Sequence, residues 1–302
     1  MTRSKAGAAV VSVASNSLLI VLKLAAGIVT GSIAILTEAV HSAIDLLASL
    51  VALVSVRKAD EPADRDHPYG HEKAENVAAG AEAMLILVGA GIIAYEAVRR
   101  IIAGSEIEHI GVGIAVIAFS AAANIAVSSF LYRRASEHDS PALVGDAAHL
   151  RADAATSIAV LVGLVLVEVT GAAVFDAIAA LIVAAAIVVA GVRLMMRSGR
   201  VLMDEVLPER ELDRIESAIA EARSPEMAGY HKLRGRRAGA RRHIDLHVQF
   251  RSGTTLERAH ELTHALRDRI EAAFPQADVL IHVEPEDSVL KPGGEPGPLR
   301  HG

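Results

Sequence analysis

The sequence contains no cysteine and no tryptophan, and only 3% of its 302 residues are aromatic. Without cysteine there is no disulfide framework, no thiolate cage for a metal ion and no cysteine nucleophile. Any bound metal must therefore be held by histidine, carboxylate and water. An overall basic charge is also absent, since the formal net charge is −6. The arginine cluster at 234–242 is too short to indicate nucleic-acid binding, so we expect no nucleic-acid partner.

Apolar residues, in contrast, are abundant. They make up 52% of the chain, the mean hydropathy is +0.38, and apolar and charged residues are segregated along the sequence. A membrane-spanning helix needs about 20 consecutive apolar residues. Six stretches meet this length, at 6–29, 33–56, 73–102, 109–132, 142–169 and 173–196. The composition thus predicts a membrane all-α domain of six transmembrane helices over residues 1–206.

Arginine and lysine in the connecting segments predict the orientation of these helices. The N-terminal tail and the segments 57–73, 133–134 and 193–200 are basic, whereas the alternate turns are short or acidic. Basic loops stay on the cytoplasmic side. We therefore expect a multi-pass protein of the cell inner (plasma) membrane, surrounded by lipid, with both termini cytoplasmic. Arg99 and Arg100 run against this rule, and we expect them to snorkel.

Two of the apolar stretches carry ionisable triplets at helical spacing. The triplets are Glu38, His41 and Asp45 in the second stretch, and Asp146, His149 and Asp153 in the fifth. Spacings of three and four residues place each triplet on one helical face. Ionisable groups at membrane depth are costly, so their recurrence favours a functional site over a simple polar contact between helices.

The two triplets share a His/Asp pair at positions i and i+4. Two such pairs supply two nitrogens and two carboxylate oxygens, the number that a tetrahedral zinc site requires. These ligands must lose their protons before they bind metal. Occupancy by metal and occupancy by protons then exclude each other. Metal moving one way against protons moving the other is the economical mechanism.

The chain changes character at residue 207. A charged amphipathic helix is followed by two alternating stretches, a second helix and a last strand, which together predict a small α+β module with the order αββαβ over 207–288. In its second strand the alternation predicts an apolar face and a polar face. The apolar face holds Ile244, Leu246 and Val248, and the polar face holds His243, Asp245 and His247. Residues 289–302 have the composition of a disordered tail.

Four motifs in order resemble those of the cation diffusion facilitators, close to their bacterial zinc and iron efflux branch. The motifs are HSAID in the second apolar stretch, HLRAD in the fifth, the loop DRDHPYGHEKAE, and the series GYHKLRGRRAG, HIDLHVQF, AHELTH and IHVEP. The resemblance covers the chain except its tail. It implies a homodimeric, proton-coupled exporter of divalent transition metal, with six helices per protomer and a cytoplasmic domain that is ferredoxin-like, or metallochaperone-like.

The resemblance also implies three metal sites and one charge pair. The transport site would be His41, Asp45, His149 and Asp153, and the loop site would be Asp64, His67 and His71. A two-metal cytoplasmic cluster would use His231, His247, His260, His282 and Glu284. Relatives carry aspartate where this chain has Glu284, which changes the geometry of a bridging carboxylate. Lys73 and Asp204 match positions that form a charge interlock near the hinge of the dimer.

Zn²⁺ is the metal that these ligands favour, both as the substrate and as a regulatory ligand of the cytoplasmic cluster, while Fe²⁺, Cd²⁺ and Co²⁺ also fit nitrogen and oxygen ligands. Two alternatives remain. His260, Glu261 and His264 match the HExxH pattern of zinc metallopeptidases. A domain of roughly 80 residues has little room for a substrate cleft, and peptidase activity would not explain the His/Asp pairs in the apolar stretches. We therefore expect that the protein is not an enzyme. The other alternative is a membrane-bound metal sensor that does not transport.

Overall fold

The computed structural model describes residues 4–30, 33–103, 111–170 and 174–286. Within them six long helices come first: α1 Lys5–Thr30, α2 Ile33–Ala59, α3 Ala74–Ala103, α4 Gly111–His138, α5 Pro141–Thr170 and α6 Val174–Leu202. Five shorter elements follow: α7 Glu209–Glu221, β1 Met227–Ala238, β2 Arg241–Phe250, α8 Leu256–Ala273 and β3 Ala277–Pro285. The predicted fold class is confirmed. The chain divides into two compact units between Gly199 and Arg200, and the predicted tail at 289–302 lies outside the described residues.

Among the described residues, four of the helices are long and apolar enough to cross a membrane. The qualifying segments are Lys5–Ala26, Ala74–Arg99, Ile114–His138 and Ala177–Leu202. The helices α2 and α5 carry the two ionisable triplets and are 27 and 30 residues long. Both exceed the length of about 20 residues that a span requires.

Small side chains let the helices of the first unit approach closely. Many of its fully buried residues are alanines, among them Ala48, Ala52, Ala79, Ala83 and Ala147. The helix α5 lies very near α3 at Gly145, where a Cβ atom would lie 3.1 Å from the Ala79 Cα. Contacts between small residues are how helices pack when the surrounding medium is itself apolar. The α3 and α5 backbones therefore lie close together beside His149.

Several helices continue past the ends that hydropathy predicts. Hydropathy predicts that the fourth helix ends at Tyr132, yet α4 continues to His138. Arg134 pairs with Glu137 one turn later, which supports a solvated helical turn. The helix ends where Asp139 adopts the left-handed conformation, with φ of 49°. Hydropathy thus indicates the apolar part of the helix, while local charge pairs and the cap decide where it stops.

The second unit has a three-stranded sheet in the order β1-β2-β3. β1 and β2 are antiparallel, and β3 is parallel to β2 after the α8 crossover. The core contains apolar side chains from both helices and from the predicted inner face of β2, including Ile215, Ile219, Ile244, Leu246, Val248, Leu266 and Ile270. The order αββαβ is therefore confirmed.

One residue of the predicted polar face of β2 is buried. His243 is only 7% exposed, and its Nδ1 lies 3.2 Å from Asp278 Oδ2 on the neighbouring strand. In the strand register His243 lies between Arg236 on β1 and Asp278 on β3, so side chains from both neighbouring strands flank it. Burial lowers the pKa of His243, and the charge of Arg236 lowers it further.

Candidate metal centres

The first candidate centre lies between α2 and α5. His149 Nε2 is 3.2 Å from Asp45 Oδ1 and 3.7 Å from Asp153 Oδ2. Ligand atoms of all three residues lie within 4.8 Å of one another. Asp45 is 5% exposed and His149 6% exposed, while Asp153 is partly buried. Helical spacing on α5 brings His149 and Asp153 onto one face, and the packing of α2 against α5 adds Asp45.

The fourth residue predicted for this centre is His41. Its backbone belongs to α2, four residues before Asp45, and such a spacing puts both residues on one face of the helix. The side chains of His41 and Glu38 lie outside the described part of the chain. The structure therefore brings together three of the four predicted ligands, and His41 stays a prediction.

Buried hydrogen bonds connect this centre to α1. Asn16 Nδ2 donates to Ser49 Oγ at 2.7 Å, and Ser49 Oγ donates to Asp146 Oδ1 at 2.9 Å. Ser12 Oγ lies 3.0 Å from Ser49 Oγ. Asp146, the third member of the predicted α5 triplet, is therefore hydrogen-bonded to Ser49 and does not belong to the three-residue ligand group. Ser49 follows Asp45 by four residues on α2, which is the sequence signal for its place on the same face.

Glu82 is a site residue that sequence reasoning missed. It is 1% exposed on α3, and its Oε2 lies 3.8 Å from His149 Nδ1. The sequence showed it only as a charge that interrupts an apolar stretch. A carboxyl group within an apolar stretch is by itself a sign of a functional residue. Nothing in the sequence pattern around Glu82, however, indicates that its side chain faces His149.

The second candidate centre is the loop between α2 and α3. His67 Nδ1 lies 3.3 Å from Asp64 Oδ1, and His71 Nε2 lies 3.3 Å from Asp64 Oδ2. The ligand atoms of the three residues lie within 4.8 Å of one another. All three residues predicted for a loop site are therefore adjacent, with His71 buried and the other two exposed.

A local turn holds the aspartate of this loop. Asp64 Oδ1 accepts the backbone N–H of His67 at 2.7 Å and that of Asp66 at 3.0 Å. Such side-chain-to-backbone bonds are typical of aspartate in turns. The bond from the His67 N–H lowers the pKa of Asp64 most, and the bond from Asp66 adds to it. The carboxylate therefore stays ionised and able to bind a cation well below neutral pH.

The third candidate centre lies on the sheet of the second unit. In the strand register His231 is opposite His247, and His247 is opposite His282. Residues directly opposite each other share one face of a sheet. Glu284 bridges the first two histidines, with Oε2 2.8 Å from His231 Nε2 and Oε1 2.6 Å from His247 Nδ1. His282 Nε2 is 3.5 Å from the same Oε1.

His260 lies apart from this group in the described chain. Ligand atoms of His231, His247 and Glu284 lie within 4.8 Å of one another. His260 is on α8, where its Nε2 is 3.0 Å from His264 Nε2. The two histidines of the HExxH pattern are therefore neighbours. The glutamate between them, Glu261, is paired with Arg258 at 3.0 Å.

The predicted charge interlock involves one residue from each unit. Lys73 immediately precedes α3, and Asp204 follows α6. Asp204 has a positive φ of 58°, and its Oδ1 accepts a hydrogen bond from Arg236 Nη1 at 3.2 Å within the second unit. The pair of Lys73 with Asp204 stays a prediction.

Comparison with known proteins gives two family matches and several relatives. The model of the cation efflux transmembrane domain matches residues 9–203, and that of the cation efflux protein cytoplasmic domain matches residues 207–286. An uncharacterized transporter of Synechocystis sp. is 33% identical over 92% of this chain and 89% of its own length. The cation-efflux pump FieF of Pectobacterium atrosepticum is 32% identical over 93% of each chain. Metal tolerance protein C1 of Arabidopsis thaliana is 35% identical over 88% of this chain, which spans 59% of that protein.

These matches extend over both units and over all three candidate centres. They are to transporters rather than enzymes, which supports the expectation that the HExxH pattern on α8 does not mark a peptidase. The chain is therefore a multi-pass membrane protein with a cytoplasmic domain, and it belongs to the cation diffusion facilitator family of cation efflux transporters.

Proposed function

We propose that this chain exports a divalent transition metal, principally zinc, from the cytoplasm in exchange for protons. The proposal rests on the largely buried group in which Asp45 from α2 lies beside His149 and Asp153 from α5. An imidazole and two carboxylates at membrane depth are costly unless a cation or protons neutralise them. With His41 as the fourth ligand, the centre has two nitrogens and two oxygens for a tetrahedral ion.

The ligand types account for the choice of metal. Imidazole suits zinc and its neighbours, whereas carboxylates alone suit harder ions such as manganese. The part of the centre that the structure describes has one imidazole, and His41 would supply the second. Fe²⁺, Cd²⁺ and Co²⁺ would be accepted by the same ligands with lower preference.

The contact between His149 and Asp45 supports proton coupling. Their Nε2 and Oδ1 atoms are 3.2 Å apart, which is within hydrogen-bond distance, so the two groups can share a proton when no metal is bound. Metal ligands must be deprotonated, so an ion that binds here displaces that proton. The same atoms then carry either metal or protons across the membrane, and this requirement couples the two fluxes.

The proposal divides the chain into a transport domain at 1–206 and a metal-binding and dimerisation domain at 207–288. Zinc bound by Glu284 and its histidines would act as a regulatory ligand, because an ion that binds the folded form preferentially stabilises it. The family model for this domain is named for dimerisation, which supports a homodimer. The basic loops support an inner-membrane location with both termini in the cytoplasm.

Zinc flux into liposomes loaded with a zinc dye and a pH dye tests the proposal. Asp45→Ala and Asp153→Ala should each abolish zinc uptake and the matching proton movement while the protein stays folded. Glu75→Gln is the matched control, because Glu75 is an equally buried carboxyl that bonds to Lys5 and Ser140 instead. Near-normal flux in either aspartate variant would refute the site. Zinc binding without flux in the native protein would favour the sensor.

A further inference from the structure

Glu82 is a buried carboxyl group on a helix that carries none of the predicted transport ligands. It is 1% exposed, and neither of its carboxyl oxygens makes a hydrogen bond with any residue that the structure describes. A carboxyl group without such a bond at membrane depth is expensive, and residues of this kind usually serve the transported species. Glu82 therefore calls for a functional explanation.

The carboxyl group of Glu82 faces one side of the His149 imidazole. Its Oε2 lies 3.8 Å from Nδ1, which makes no hydrogen bond among the described residues. On the other side of the ring, Nε2 faces Asp45 Oδ1 at 3.2 Å and Asp153 Oδ2 at 3.7 Å. The imidazole is thus placed between the proposed ligand carboxylates and Glu82.

The packing of α3 on α5 aims Glu82 in this direction. Gly145 lies one turn before His149 on α5, and a Cβ atom there would be 3.1 Å from both Cβ and Cγ of Glu82. The missing side chain at Gly145 therefore leaves room for the stem of Glu82 against α5. Since that stem is held beside the His149 turn, the position of its carboxyl group is a product of the fold.

Metal binding decides which nitrogen of His149 carries the proton. If Nε2 binds the ion, the neutral ring must carry its proton on Nδ1. Histidine ligands usually donate that second N–H to a carboxylate or a carbonyl group, which fixes the tautomer and the orientation of the ring. Glu82 Oε2 is the carboxylate oxygen recorded next to Nδ1, a few tenths of an ångström beyond hydrogen-bond distance.

We propose that Glu82 is the positioning residue for His149. It accepts the Nδ1–H when Nε2 binds the transported cation, and so it holds the imidazole lone pair toward Asp45 and Asp153. The inference rests on the proposed function, because it requires His149 to be a metal ligand. It adds a third helix, α3, to a centre otherwise built from α2 and α5.

The test compares Glu82→Met with Glu82→Gln in zinc-flux assays on purified protein in liposomes. Methionine has a similar length and no strong acceptor, so the KM for zinc should rise about 10–100-fold, the usual effect of losing such a partner. Glutamine keeps one acceptor oxygen, and its KM should lie between that of Glu82→Met and that of the native protein. Glu75→Gln should leave the KM unchanged.

Thermal stability separates positioning from a purely structural role. Replacing a buried carboxyl group that makes no hydrogen bond among the described residues by an apolar side chain should leave the melting temperature unchanged or higher. A stable Glu82→Met protein with a raised KM therefore supports the inference. A native KM in a folded Glu82→Met protein overturns it, and so does a KM that rises only in proportion to lost stability.

A third variant separates failure of this inference from failure of the proposed function. His149→Ala should abolish zinc flux if His149 is a ligand. Flux that persists in His149→Ala overturns the transport site and the role of Glu82 together. Loss of flux in His149→Ala, combined with a native KM in Glu82→Met, overturns the role of Glu82 alone.

Discussion

Gly145→Ala tests whether the close contact of α3 with α5 shapes the transport centre. The added Cβ atom would lie 3.1 Å from the Ala79 Cα and from Cβ and Cγ of Glu82. Carbon atoms in favourable contact are about 3.5–4.0 Å apart. The two helices must therefore separate by a few tenths of an ångström to about 1 Å, one turn away from His149.

Two opposing effects set the magnitude of the change in stability. Overpacking of this kind costs about 1–3 kcal/mol. Replacing glycine by alanine inside a helix returns about 1 kcal/mol. The net destabilisation should therefore lie between about 0 and 2 kcal/mol. Gly89→Ala on α3 is the matched control, because a Cβ atom there meets nothing within 4 Å. Gly89→Ala should therefore be stabilised by about 1 kcal/mol, because alanine favours the helix and meets no steric clash there.

The assays are thermal unfolding in detergent and the zinc dependence of flux in liposomes. Gly145→Ala should be less stable than Gly89→Ala by about the clash energy, 1–3 kcal/mol. It should also have a higher KM for zinc, because the separation moves His149 away from Glu82. If the two alanine variants behave alike in both measurements, the contact between α3 and α5 does not shape the centre.

Three further predictions concern single sites. His41→Asp should leave one nitrogen among the proposed ligands and widen the transported metals toward manganese; an unchanged metal panel at several pH values would mean that His41 is not a ligand. The isolated segment 207–288 should fold, bind more than one zinc ion per chain and become more compact as a dimer, and calorimetry that detects no zinc would remove the regulatory cluster. Because burial lowers the pKa of His243, the folded segment binds fewer protons there than the unfolded chain does. The contribution of His243 to stability should be complete above about pH 6.5 and should decrease as the pH falls. In urea titrations His243→Gln should make this decrease smaller. An equal pH dependence in both proteins would exclude His243 as the cause.

The sequence predicted those features that depend on local periodicity. The spacing of His149 and Asp153 fixes a shared helical face, and hydropathy found the six long helices. The alternation in β2 placed Ile244 and Leu246 in the core. In each case a single element determines the result, because the helical and strand periods decide which residues point together.

Features that depend on two packed elements could not be read in this way. The approach of Glu82 to His149 requires α3 to turn one particular face toward α5, which follows from the Gly145 contact rather than from any spacing within α3. His243 is buried for a similar reason, since Arg236 on β1 and Asp278 on β3 flank it in the register of the sheet. Arg236, a hydrogen-bond partner of Asp204, lies 32 residues away in the sequence.

Among the described residues, the loop and sheet centres have more histidines than carboxylates, whereas the membrane centre has more carboxyl groups than histidines. In the loop one carboxylate, Asp64, faces two histidines, and on the sheet Glu284 bridges two histidines. In the membrane a single described imidazole, that of His149, is near three carboxyl groups. Like charges so close together in a medium of low dielectric must be neutralised, either by protons or by a cation.

This difference in composition predicts different responses to pH. In the loop the hydrogen bond from the His67 N–H lowers the pKa of Asp64, so this carboxylate is ionised well below neutral pH, and a metal ion that bound there would displace no proton from it. In the proposed transport centre, carboxyl groups without a metal ion would hold protons, and an ion that binds there would displace them. We therefore expect the proposed proton exchange to depend on the excess of carboxyl groups over imidazoles among the described residues of the membrane centre, and we expect metal binding at the loop to release no proton from Asp64.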